Sequence, residues 1–144
     1  MIENLSEADI ETKYIEPSLK RAGWDVTSPL VHKQFPITKG RIIAKARVCK
    51  RDKPLRADYV LFSRPNHPIA VIEAKFSHFT VGHGIQQALK YADMLDVPFA
   101  FSSNGNGFLF HNALAADGEP VETELSLDEF PSPDKLGLVE ELKA

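Results

Sequence analysis

The sequence predicts an α/β domain, and three observations lead there. A capped, helix-period segment opens the chain, two apolar strand-like runs lie around residues 56–76, and a second helix-period segment is followed by two short strands. A chain of 144 residues, 43% apolar and 26% charged, falls where one compact domain buries a real core.

Ser6, followed three residues later by Asp9 and then by Ile10, Tyr14, Ile15 and Leu19, predicts a capped amphipathic helix ending at Gly23. Pro17 is expected to kink or split it, because proline removes a backbone donor and crowds the preceding turn. Arg41 to Val48 alternates like an exposed strand or hairpin. Arg56 to Ser63 and Ile69 to Phe76 are strand-like and separated by turn chemistry at Arg64 to Pro68, so they are expected to be adjacent and antiparallel. Gly82 and Gly84 open a helix whose stripe is Ile85, Ala88, Leu89, Ala92 and Leu95, stopping near Asp96. Val97 to Ser102 and Gly107 to His111 then form short strands joined by a turn rich in Asn and Gly. Beyond Asn112 the periodicity weakens, and an acidic tail or linker is expected, with Leu136 to Leu142 able to begin another helix.

No apolar run approaches the ~20 residues of a membrane-spanning helix, and the N-terminus lacks a basic start with an apolar stretch, so a soluble, cytoplasmic protein without a membrane partner is expected. The lone Cys49 forms no internal disulfide and no zinc site. Net charge is −3, but its distribution is uneven. Between Lys33 and Arg56 nine bases face the single acid Asp52, whereas from Asp117 onward nine acids face only Lys135 and Lys143. The basic segment is either a solvated hairpin or a phosphate-binding surface.

Alternation along a strand puts Glu73 and Lys75 on one face while Ile72 and Ala74 face the other. Charges in so apolar a run need partners. Asp58, in the preceding predicted strand, can lie beside Glu73, and a divalent cation would resolve the repulsion between them. Oxygen ligands from Asp58, Glu73 and the Ala74 carbonyl suit magnesium, with Lys75 placed to position a water or counter phosphate charge. Spacing alone equally fits an edge-strand ion pair with Asp58 as a solvated strand end. Gln87 and Tyr91, at i and i+4, share a helix face beside the apolar stripe, where they can meet DNA backbone or water near the metal. His32, His67, His78, His83 and His111 are scattered without a cluster, and Trp24 is a core anchor rather than a base-stacking platform.

Asp58, then Glu73-Ala74-Lys75, then Gln87-Ala-Leu-Lys-Tyr91 resembles the PD-(D/E)xK nuclease signature with the QxxxY extension of RecB-like nucleases and type I restriction motor subunits. Ser6-Glu7-Ala8-Asp9, Pro17 to Asp25, Ile37 to Arg41 and Ala57 to Val60 are similar to the N-terminal region of those motor subunits in particular, over about Ser6 to Asn112. Ala57 stands where the signature carries proline. The resemblance implies a restriction-endonuclease-like α/β core, a mixed sheet flanked by helices, and magnesium-dependent hydrolysis of DNA phosphodiesters, with manganese able to substitute. Asp58 and Glu73 carry over as metal ligands, Lys75 as the catalytic lysine, and Gln87 and Tyr91 as a supporting pair. An acid of the first helix assists the metal in this family: Glu7 matches the motif, and Glu11 is the fallback.

Residues 1–115 are therefore expected to form the nuclease domain, and 116–144 a linker toward an absent motor domain. The resemblance also implies ATP-driven translocation in the complete subunit and assembly with methylation and specificity subunits. No G-x-x-x-x-G-K-[ST] loop occurs in this chain, so ATP belongs to other domains and the chain is expected to be a fragment. Lys33, Lys39, Arg41, Lys45 and Arg47 are expected to hold DNA by its phosphates, without reading sequence. Two alternatives stay open: a freestanding RecB-like or junction-resolving nuclease, and a non-catalytic DNA-docking module.

Overall fold

The structure, a computed structural model, describes residues 6–37, 55–75 and 84–143. The first helix begins as predicted: the Ser6 hydroxyl accepts the Asp9 amide and the Asp9 carboxylate accepts the Ser6 amide. It then runs through α1 (Glu7–Ile10), a π-helical turn (Glu11–Ile15) and α2 (Glu16–Ala22). Pro17 stands in the first turn of α2, where its missing N–H costs little, and the Glu16 amide reaches back five residues to the Glu11 carbonyl. The wide turn lets Ile10, Ile15 and Leu19 all be fully buried although the first two are five residues apart. Gly23, at φ 105, ends the helix in the left-handed conformation.

Among the described residues six strands form one sheet in chain order: β1 (Val31–Ile37), β2 (Leu55–Arg64), β3 (His67–Ala74), β4 (Phe99–Ser103), β5 (Phe108–Asn112) and β6 (Glu122–Leu125). All neighbours are antiparallel except β3 and β4, which are parallel and joined through α3 (Ile85–Leu95), so the sheet is mixed. The β2–β3 connection tightens to Pro65-Asn66, with Asn66 at φ 65. Arg41 to Val48 lies outside the described residues.

Helices cover both faces. Ile10, Leu19 and Trp24 pack with Tyr59, Ile72 and Phe101 on one side. Ile85, Ala88 and Tyr91 of α3 pack with Val60 and Val71 on the other. Among the described residues no helix is long and apolar enough to cross a membrane.

The stretch expected to leave as an acidic tail instead folds back. Glu122–Leu125 pairs with β5, and α4 (Pro133–Lys143) follows. Phe130 seats its ring 4.5 Å from Phe101 and 4.9 Å from Phe108, Leu136 is 2% exposed, and the Trp24 indole donates to the Pro131 carbonyl at 2.9 Å. Charge masks this in the sequence, because an edge strand needs no buried face and two well-placed apolar side chains anchor the rest. Leu136 to Leu142, where another helix was expected to begin, falls within α4.

Candidate active site

The site forms where the β2–β3 ladder gives way to side chains. The register Tyr59↔Ile72 sets Asp58 opposite Glu73. The Asp58 amide donates to Glu73 Oε2 at 2.7 Å, and the Ala74 amide donates to Asp58 Oδ2 at 2.7 Å. Each carboxylate thus caps a backbone donor of the other strand, which fixes both acids. Glu73 is 4% exposed, and its carboxyl is raised by burial and by the charge of Asp58, with Glu7 adding to the repulsion. Asp58 is also raised, by burial, against the opposing effects of the Ala74 amide, a hydrogen bond from the Gln34 side chain and the Lys75 charge. Two acids held side by side against their own repulsion suit a site built around a cation.

Both candidate acids of the first helix face this pair. Glu7 is raised by burial and by Asp58, partly offset by Lys75. Glu11, 9% exposed, is pushed up to about 7 by burial, with Asp58, Glu16 and Glu7 adding to it and Lys33 opposing. Only Glu7 feels the Lys75 charge, as Asp58 and Glu73 also do. No three His, Cys, Asp or Glu side chains form a ready cage among the described residues. Magnesium does not require one, since it is commonly held by one or two carboxylates and keeps several waters.

Lys75 follows the last residue of β3, and its amide donates to the Ser103 carbonyl at 2.9 Å. Its stem runs against Gly84, the residue before α3: a Cβ there would stand 2.8 Å from Lys75 Cγ and 3.5 Å from Ser102 Cβ. Gly84 has an ordinary backbone conformation, so space for the lysine is what requires glycine. One turn on, Gln87 Nε2 donates to the Tyr91 hydroxyl at 2.8 Å. Tyr91 was expected beside the apolar stripe, but it lies within it, 4% exposed, because its ring fills the α3 core while its hydroxyl end feels the charge of Glu73. Gln87 alone of the pair is exposed.

Of the basic candidates, Lys33 is described and already paired: its ammonium lies 2.6 Å from Glu16 Oε2 and 5.7 Å from the centre of the Tyr59 ring. Burial would raise Glu16, but the hydrogen bonds from Lys33 and Tyr59 and the Lys33 charge hold it low. Lys39, Arg41, Lys45 and Arg47 lie outside the described residues. Gln34 was not legible in the sequence, since a lone glutamine in a strand carries no pattern; its trace is its register position opposite Asp58.

A family model described as the second domain of the type I restriction enzyme EcoKI endonuclease subunit matches residues 28–97, which include Gln34, Asp58, Glu73, Lys75, Gln87 and Tyr91. The endonuclease subunit of the Escherichia coli type I restriction enzyme EcoAI is 44% identical over 135 residues, 94% of this chain. The chain belongs to the family of type I restriction enzyme endonuclease subunits. It spans 16% of the EcoAI subunit's length. A solved fragment assigned to an HsdR subunit of a type I restriction enzyme from Vibrio vulnificus YJ016 superposes with a TM-score of 0.76 at 34% identity. That match covers 96% of this chain and 26% of the other, so the family fold runs through α4 as well as the sheet.

Proposed function

We propose that this domain hydrolyses DNA phosphodiester bonds with a magnesium ion held by Asp58, Glu73 and the Ala74 carbonyl, manganese being able to substitute. The observation that carries the reading is the pair of cross-strand carboxylates, each fixed by the other strand's amide, with Lys75 beside them. The donor set is hard, anionic and partly dry, which fits a hard divalent cation. When bound, the cation supplies Lewis-acid stabilisation of charge developing on the phosphate.

The chain's own residues do the rest. Lys75, its stem seated on Gly84, presents a positive charge to the phosphate and to an attacking water. Glu7 and Glu11 add negative charge that favours cation binding, Glu7 being the one that feels the charge of Lys75. Tyr91 holds Gln87 at the mouth of the site, where an exposed amide can meet DNA or water. Phosphate contacts fall to the basic segment, Lys39, Arg41, Lys45 and Arg47, with Lys33 joining if it exchanges Glu16 for DNA.

In the complete subunit, ATP-driven translocation, sequence recognition and methylation belong to other domains and to methylation and specificity subunits, in a cytoplasmic complex that restricts foreign DNA. The test is Glu73→Ala or Lys75→Ala in the intact subunit, assayed for cleavage in the assembled complex. Each is expected to lower cleavage at least about a hundredfold. Undiminished cutting by either refutes the site.

A further inference from the structure

Every residue of β1 except Gln34 pairs with β2, in one constant register from Val31↔Leu61 to Ile37↔Leu55. Gln34 breaks the run at φ 52, in the left-handed region that glycine and asparagine tolerate and glutamine does not favour. That conformation brings Cβ close to the following carbonyl oxygen and is strained for a residue with a side chain. The same register places it directly across from Asp58, between Lys33↔Tyr59 and Phe35↔Ala57.

Packing does not account for the strain. Gln34 is exposed on a strand that lies at the end of the sheet among the described residues, and an exposed amide hydrogen bond contributes too little to offset a left-handed backbone. Strain held at an exposed position beside a buried pair of acids points to a functional constraint rather than a fold requirement. What the distortion delivers is a side-chain amide hydrogen-bonded to the Asp58 carboxylate, which already accepts the Ala74 amide. Two donors from two different strands leave that carboxylate little freedom to rotate, so its remaining lone pairs keep one direction. A lysine or arginine here would orient the carboxylate but neutralise it and compete with a cation, whereas a neutral amide orients it and leaves its charge available.

We propose that Gln34 is a positioning residue, and that its left-handed backbone serves to bring its amide onto Asp58 so that this carboxylate stays oriented for a divalent cation. The inference rests on Asp58 being a cation ligand.

The test uses Gln34→Gly and Gln34→Asn in the intact subunit, with manganese affinity by calorimetry, DNA cleavage and thermal unfolding as readouts. Both replacements accept the left-handed backbone. Glycine has no amide, and that of asparagine is one methylene too short to reach Asp58. Manganese affinity is expected to fall about tenfold in each variant. Cleavage should fall with it through kcat, while KM for DNA and Tm hold or Tm rises. Wild-type affinity in either variant overturns the proposal, as does a loss of affinity that only tracks a loss of folded protein. An Asp58→Asn control separates the two levels. If that variant binds manganese and cuts normally, the assignment of the site fails. If it does neither while the Gln34 variants behave as wild type, the role of Gln34 alone fails.

Discussion

Asp58 and Glu73 repel each other where burial has already raised both carboxyls, so the metal-free domain carries an electrostatic cost at neutral pH. Asp58→Asn removes one charge while leaving an oxygen to accept the Ala74 amide. Without a divalent cation this variant is expected to melt about 2–4 °C higher than wild type, and magnesium should no longer raise its Tm; thermal denaturation with and without the ion checks both. Gly84→Ala tests the seating of the lysine. A methyl group 2.8 Å from Lys75 Cγ must push the stem aside, so cleavage should fall between about ten- and a hundredfold with Tm little changed. Much of this site was legible because period-two alternation ties Glu73 to Lys75 in any strand. Gln34 and the fit of Gly84 under Lys75 were not, because a backbone dihedral and a contact between distant residues leave no local pattern.

The first helix shows what an element adds. Glu7 and Glu11 are four residues apart and both are raised by burial and by Asp58, so one helical turn holds two acids toward one site. Glu11 has its ordinary affinity for protons in the unfolded chain but titrates near 7 when folded. Below about pH 4.5 it is protonated in both states and costs nothing. As pH rises through 7 the folded state must carry a buried charge, and stability is lost. The metal-free domain is therefore expected to lose Tm between about pH 5 and 8, less steeply in Glu11→Gln, and magnesium should flatten the slope; melting curves across that range decide it. The cap at Ser6 and the stop at Gly23 were legible from residue type alone. The π turn was not, although the five-residue step from Ile10 to Ile15 is its trace, because Pro17 suggested a break where the chain widened instead.

At the scale of the molecule, α4 and the segment before it complete the core against Trp24 and Phe101. Phe130→Ala is expected to cost about 3 kcal/mol, measured by urea unfolding, where a true tail residue would cost nothing. Between Ser6 and Asn112 the first helix, β2 to β5 and α3 were readable because each declares its period, whereas β1 (Val31–Ile37) was missed, its run Val-His-Lys-Gln-Phe-Pro-Ile carrying a proline and no clean alternation. The stretch after Asn112 hid its role because its packing depends on a few contacts distant in sequence, Phe130 with Phe101 and Phe108 and Pro131 with Trp24, amid a run of acids. The single parallel pairing, β3 with β4, has a consequence for how such a site arises. Parallel neighbours cannot be joined by a tight turn, so the chain must travel back the length of the sheet before β4 can begin. Here α3 makes that return, and the glycine before it packs against the lysine that follows β3. The roof over the Lys75 side chain is thus a geometric by-product of strand direction, which leaves selection free to tune its side chains instead of inventing its position.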